Sequence, residues 1–242
     1  MKNTIKKLVP KGLMRLYLDQ KNRHKSPEEI FTEIYDKSLW GKSPDGKQYC
    51  SGSGTTDPNV RKYIDTLQAF IQDAGIKSIF EIGCGDFTVM NSVLGQSNIK
   101  YTGSDIVKSL IDYLTASYGS ENLRFIHMDA IHSQEYPEAD LCIIRQVLQH
   151  LTNAQIAEIL RKTKKYKYVI VTEHVPLNPA RKNDDKSTSG YIRLQNHDAS
   201  GVFLDAPPFL LNCKTLLSYQ QDDKDYHGNL IPAVMLTTLI EN

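Results

Sequence analysis

The stretch that most constrains the fold of this chain is Ser78-Ile79-Phe80-Glu81-Ile82-Gly83-Cys84-Gly85-Asp86-Phe87. An apolar run from Ile76 to Ile82, broken by Lys77 and Ser78, ends in two glycines, and a helical pattern follows through Val89, Met90 and Val93. That order reads as a buried strand turning tightly into a helix whose first amide N–H groups face open space. Glycine at 83 and 85 lets the backbone turn sharply and lets a ligand approach without meeting a Cβ. An adenosine-containing ligand suits such a turn. The third glycine of the dinucleotide fingerprint would fall at Thr88, so a pyrophosphate site is poorly supported.

Strand and helix patterns alternate from there. Strands are expected at 76–82, 99–103 (ending at Asp105), 123–128 (ending at Asp129), 140–145 and 168–172 (ending at Glu173-His174), with helices at 87–95, through Val107 to Leu114, and from Thr152 or Asn153 onward. Repeated βα units of this length predict a parallel sheet with helices on both faces and ligands at the carboxyl ends of the strands. After a polar stretch at 178–200 come two strand-like runs, Leu216 to Tyr219 and Val234 to Ile240, with no helix between them. An antiparallel hairpin closing one edge of the sheet is predicted.

Before the sheet, Ser26-Pro27-Glu28-Glu29 is a helix start with a capping box, and Ile30, Phe31, Ile34 and Tyr35 share one face. Residues 41–57 are a Gly/Ser/Asp-rich loop, which at that length inside a compact domain is functional or disordered. Asp57-Pro58 caps a further helix that stops at Gly75. The division expected is 1–57 as basic helix, cap helix and loop, and 58–242 as the main domain, with 175–212 an acceptor-side insertion.

Net charge is only +1 in 242 residues, which argues against a surface built to bind nucleic acid. The four cysteines are scattered without a C-x-x-C pair, and no apolar run reaches the roughly 18–20 residues of a membrane span. A reduced, cytoplasmic protein is expected. Residues 1–25 depart from the average, with eight Lys or Arg against Asp19 alone. They read either as a foothold on an anionic membrane face or acidic partner, or as a helix packed on the domain edge with a solvated basic face.

Glu81, Asp105 and Asp129 sit at the ends of three successive strands, and Asp105 follows Gly85 by twenty residues. At that distance a carboxylate stands at the tip of the neighbouring strand, where it can accept bonds from both ribose hydroxyls. One acidic residue beside a strand is usually a turn residue or helix cap. Three in register with a glycine turn argue for a nucleoside site.

At these residues the chain resembles the class I S-adenosylmethionine-dependent methyltransferases, over about 60–240. A bacterial subgroup is further suggested by Gly85-Asp86-Phe87, by Tyr101 to Val107 with its Asp105-Ile106-Val107, and by Arg145-Gln146-Val147-Leu148-Gln149-His150-Leu151. Ser51-Gly52-Ser53-Gly54, Asn196 to Gly201 and Pro207-Pro208-Phe209 resemble it too. The resemblance implies a Rossmann-like, seven-stranded, mostly parallel α/β sheet with an antiparallel C-terminal hairpin and an N-terminal helical cap, binding S-adenosyl-L-methionine and releasing S-adenosyl-L-homocysteine. It implies Glu81, Gly83, Cys84, Gly85 and Asp86 around the methionine part, Asp105 and Ile106 at the ribose and an adenine face, Asp129 and Ala130 at the adenine edge, and Arg145 and Gln146 at the sulfonium end. Ser51 and Ser53 would lie on the substrate side. Two departures fall near the expected acceptor. Gln146 stands where the subgroup often has Asp, and Val202-Phe203 where it has Trp-Arg.

Methyl transfer to an alcohol needs alignment of acceptor and methyl and a base for the hydroxyl proton. The candidates are His150, His174 with Glu173 beside it, and Asp198. Against each stands a structural role: a histidine bonding a backbone carbonyl, an Asx turn at Asp198. Tyr191 and Arg193 are candidates for gripping an anionic acceptor, or surface residues. A metal held by His150, Glu173, His174 and His197 lacks the close spacing such sites use, and none is expected. The acceptor expected is a hydroxyl or phosphate-linked group on a small molecule, sugar or glycan precursor, and the resemblance points to capsule or surface-polysaccharide synthesis. An RNA or protein methyltransferase, a nicotinamide-dependent oxidoreductase and a non-catalytic binding module are the alternatives.

Overall fold

The computed structural model describes residues 11–195, 199–225 and 227–242; Asp198 and His197 lie outside them. Helix α1 (Lys11–Asn22) and helix α2 (Pro27–Asp36) come first, then α3 (Val60–Asp73). The alternating part follows: β1 (Ser78–Ile82), α4 (Thr88–Leu94), β2 (Lys100–Asp105), α5 (Lys108–Tyr118), β3 (Leu123–His127), β4 (Leu141–Arg145), α6 (Asn153–Thr163) and β5 (Tyr168–Pro176). The tail adds β6 (Lys214–Gln220), a short ribbon of β7 (Asp223–Lys224) and β8 (Leu230–Ile231), and β9 (Ala233–Glu241).

The sheet has seven strands in the order β3-β2-β1-β4-β5-β9-β6. β1 to β5 run parallel, and β9 enters antiparallel between β5 and β6. The reversal between β1 and β4 opens the crevice at the strand ends where ligands bind in such sheets. β5 continues past Thr172 to Pro176 because β9 pairs with all nine of its residues. Glu173 and His174 are therefore inside the strand. The short β7–β8 ribbon has no counterpart in the sequence reading.

Alternation along the strands divides the core in two. Ile79, Ile143 and Ile170 pack with the faces of α3, α4 and α5. Phe80, Ile82, Cys142, Ile144 and Val171 pack with Ile156, Ile159 and Leu160 of α6 on the other side. Both faces of the parallel sheet are thus covered.

Local signals act where they stand. Ser26 and Glu29 form the capping box at the start of α2, and Thr152 with Gln155 forms another at α6. Part of the basic N-terminal segment is spent on packing: Lys21 and Lys25 both pair with Glu33 of α2. Asp19 accepts the hydroxyls of Thr188 and Tyr191, each at 3.0 Å. α1 therefore lies against 188–191. Among the described residues no helix is long and apolar enough to cross a membrane.

Candidate functional site

Gly83 and Gly85 have φ of +71° and +55°, the left-handed region that costs a non-glycine residue about 1–2 kcal/mol. A Cβ at Gly85 would stand 2.5 Å from the Ser51 hydroxyl, and one at Gly83 would stand 2.4 Å from Val147 Cγ2. The two glycines thus admit neighbours from the cap and from the loop after β4. Phe87 takes the same conformation, φ +62°, held by its ring among Tyr101, Tyr118 and Phe125. The first free N–H of α4 does not face open space: Thr88 donates to Asp86 Oδ1 at 3.0 Å.

From this turn a cavity of about 450 Å³ runs along the strand ends toward the cap. Its cofactor-side wall holds Glu81, Asp86, Asp105, Ile106, Met128 and Arg145. Asp105 accepts the N–H of Gly85 at 3.2 Å and of Val107 at 3.0 Å, which fixes its carboxylate beside the turn. Burial pushes its carboxyl up to about 6. Glu81 takes the Tyr101 hydroxyl, and burial drives it up to about 8. Arg145 offsets this in part, while Asp105 and Asp86 repel it.

The wall therefore holds buried carboxylates short of positive charge. A ligand carrying a sulfonium and an ammonium would supply what is missing, and Asp105, Ile106 and Met128 are the residues that could meet its ribose and base. The residues fit S-adenosylmethionine.

Other residues expected at this site hold different partners. Asp129 lines the cavity, but its carboxylate is taken up by the N–H groups of Ile131 and His132, at 2.7 and 3.3 Å, and by the His132 ring at 2.7 Å. Cys84 and Ala130 line the cavity as well, and burial raises the Cys84 thiol well above its usual range. Arg145 points its Nη2 at the carbonyl of Gly54, 2.7 Å away, with its guanidinium 5.1 Å from the Tyr63 ring. Gln146 has φ +56° and lines the cavity with Gln149. Ser51 and Ser53 border the cavity too, and Ser51 is engaged with Asp86 through bonds of 2.7 Å in both directions.

At the far end, His150 and His174 both border the cavity and both are buried. His150 Nδ1 lies 2.9 Å from the Gly190 carbonyl, which can only accept, so Nδ1 carries the proton and Nε2 is left as an acceptor. Burial and the nearby Lys186 push its pKa down to about 3, so the ring stays neutral. Phe31 and Trp40 pack on it, with ring centroids at 5.8 and 5.4 Å. His174 Nε2 donates to the Gln221 carbonyl at 2.5 Å.

Three expectations fail on this geometry. Glu173 does not orient His174, because adjacent residues of a strand point to opposite faces; it accepts the N–H groups of Leu148 and Gln149 instead. Arg193 is fully buried and donates to the carbonyls of Leu151 and Asp184, each at 2.6 Å. It holds backbone, not an acceptor. Tyr191 is likewise buried, with its hydroxyl on Asp19, and does not line the cavity. Tyr35 and Trp40 of the cap, and Gln195, Asp222 and Asp223 near the ribbon, do line it. The sequence signal for the cap was the shared face of Phe31 and Tyr35, which reads equally as core. For the ribbon there was none. Among the described residues no group of three His, Cys, Asp or Glu converges to hold a metal.

Residues 79–166 match the family model described as a methyltransferase domain. A comparison with curated proteins finds no match. Among solved structures, the chain is similar to the N-methyltransferase NodS of Bradyrhizobium japonicum in complex with S-adenosylhomocysteine. The TM-score is 0.56 at 11% identity, covering 88% of this chain and 100% of that one. It is similar also to 1,6-didemethyltoxoflavin-N1-methyltransferase of Burkholderia thailandensis, with TM-score 0.57, 14% identity and coverage of 89% and 87%. TehB of Haemophilus influenzae aligns at TM-score 0.53 and 13% identity, over 78% of this chain and 67% of that one. These likenesses concern the fold. With the matched domain and the glycine-turn site, the class is that of S-adenosylmethionine-dependent methyltransferases.

Proposed function

We propose that this chain O-methylates a hydroxyl of a neutral, sugar-like small molecule. The observation that carries the reading is the charge of the cavity wall. Glu81, Asp86, Asp105, Asp129, Asp222 and Asp223 line it, and among the described residues Arg145, with Nη2 on Gly54 and its guanidinium over Tyr63, is the one Lys or Arg on it. Against these carboxylates a phosphate-linked acceptor would meet more like charge than opposite charge, at a cost that grows as water is expelled. A polyol suits the wall better: aromatic Phe31 and Trp40 can cover its apolar face, and Gln195, Asp222 and Asp223 offer acceptors to its hydroxyls.

S-adenosylmethionine, when bound, supplies an electrophilic methyl on a sulfonium. The protein's part is to hold the acceptor oxygen in line, exclude water and take the hydroxyl proton. His150 is the base in this reading. Its Nδ1–H is fixed on Gly190, which presents a neutral Nε2 as the proton acceptor.

Calorimetric titration with S-adenosylmethionine, S-adenosylhomocysteine and NAD tests the cofactor first, followed by transfer of a labelled methyl to matched panels of neutral sugars, sugar phosphates and amines. Binding of the first two compounds and label on neutral sugars is the expected result. Label only on amines or phosphorylated sugars would overturn the acceptor reading.

A further inference from the structure

The segment that covers the cofactor turn also builds the wall of the acceptor chamber. Residues 51–55 cross over the glycine turn and are tied at two points, one on the turn and one at the end of β4. Ser51 donates its N–H to Asp86 Oδ2 and accepts the Asp86 N–H on its hydroxyl, both at 2.7 Å. A few residues on, Gly54 accepts from Arg145 at 2.7 Å. Asp86 and Arg145 both line the cavity, so both ends of this strap rest on residues that a cofactor would neighbour.

The same strap is joined to the cap. The Tyr35 hydroxyl shares a hydrogen bond of 2.9 Å with the Ser51 hydroxyl. The Tyr35 ring meets Trp40 edge-on at 5.1 Å, and Trp40 in turn packs on His150 at 5.4 Å. Gly52 lies under Trp40 as well, where an added Cβ would stand 3.7 Å from the Trp40 Cβ. An unbroken line of contacts therefore leads from Asp86 through Ser51 and Tyr35 to Trp40 and His150.

We propose that Ser51 and Tyr35 are positioning residues that transmit cofactor occupancy from Asp86 to the acceptor wall formed by Trp40 and His150, so that cofactor binds before acceptor. The physical reason is the place of Asp86. A cationic ligand beside its carboxylate fixes the orientation in which it accepts the Ser51 N–H, and a strap held there brings Tyr35 and Trp40 to their places. Without that ligand, Asp86 and Glu81 repel each other, and no opposite charge fixes the Asp86 carboxylate against the strap. The proposal depends on the cofactor reading, but not on the identity of the acceptor.

Trp40 is the sole tryptophan of the chain, so its emission reports the acceptor wall directly. The experiment titrates wild type, Tyr35→Phe and Ser51→Ala with S-adenosylhomocysteine, following Trp40 emission and calorimetric heat in parallel, with circular dichroism and melting curves to establish folding. In the wild type the emission change should saturate with the heat. Tyr35→Phe keeps the ring and should bind within about three-fold of wild type while losing most of the emission change. Ser51→Ala keeps the backbone N–H that Asp86 accepts but removes the hydroxyl that takes the Asp86 N–H and meets Tyr35; it should weaken binding by about five-fold, the usual scale for one neutral hydrogen bond. Wild-type emission that stays constant while heat shows binding overturns the proposal, as does a full emission change in both variants. A folded wild type that binds no S-adenosylhomocysteine fails at the calorimeter, and it is then the cofactor reading that falls.

Discussion

Glu173 Oε2 accepts the backbone N–H of Gln149 at 3.0 Å. Its other oxygen accepts the N–H of Leu148 at 2.9 Å, so a carboxylate of β5 grips the turn that presents His150. Lys186 and Arg193 hold carbonyls of the same turn from outside, at Gln149 and Leu151. Replacement of Glu173 by Gln substitutes an amide N–H₂ for one acceptor and leaves a buried N–H unmet, at about 1–3 kcal/mol. The melting temperature should fall by roughly 3–10 °C, measured by calorimetry at a pH where Glu173 is ionised. An unchanged melting temperature would show that the grip carries no stability.

Asp105→Ala removes the carboxylate that the Gly85 and Val107 N–H groups position beside the turn. Each bond from a ribose hydroxyl to it is worth about 1.5–3 kcal/mol. The affinity for S-adenosylhomocysteine should drop by at least about ten-fold in calorimetric titration. Unaltered affinity would refute the ribose assignment.

His150→Gln should leave S-adenosylhomocysteine binding intact while lowering turnover on the accepted sugar by about 10²–10⁴-fold. Because burial holds His150 down to about 3, the wild-type rate should show no ionisation of this ring between about pH 5 and 9. A variant that turns over at the wild-type rate would remove His150 as the base.

Glu81 sets a pH dependence of stability in the ligand-free protein. Its folded carboxyl is raised to about 8 against 4.5 for the ordinary group. Stability from this group is fully present below the ordinary value and is lost as pH rises through the folded one. Within that window the slope is about 1.4 kcal/mol per pH unit, or roughly 3–6 °C of melting temperature. Asp105 and Glu173 titrate lower, at about 6 and 7, so from about pH 7 to 8 Glu81 contributes the largest part of the slope. Melting temperatures of Glu81→Gln should fall less steeply across it than those of wild type; parallel slopes would refute the assignment.

Elements whose signals are local were legible in the chain. The capping box at Ser26–Glu29, the helix start at Thr152 or Asn153, the apolar run into Gly83 and the alternation of strands and helices each lie within a few residues of sequence. The carboxylates at 81, 105 and 129 were legible for a related reason: in a parallel sheet every strand ends on the same side, so strand ends mark a crevice. Their partners were not legible. Asp105 faces the glycine turn, while Asp129 spends itself on Ile131 and His132, and both look alike as an acidic residue ending a strand.

Arg193 and Glu173 show the limit most clearly. As residue types they suggest an anion grip and a partner for His174, yet both stabilise one backbone turn, because β5 extends under the pairing of β9 and turns Glu173 away from His174. The sequence by itself determined the sheet, its glycine turn and the cap helix, since period, propensity and capping act over short separations. Only the tertiary structure decided that Ser51 meets Asp86 and that Trp40 meets His150. Those contacts join residues far apart in the chain, and nothing in a local pattern encodes which distant side chain will arrive.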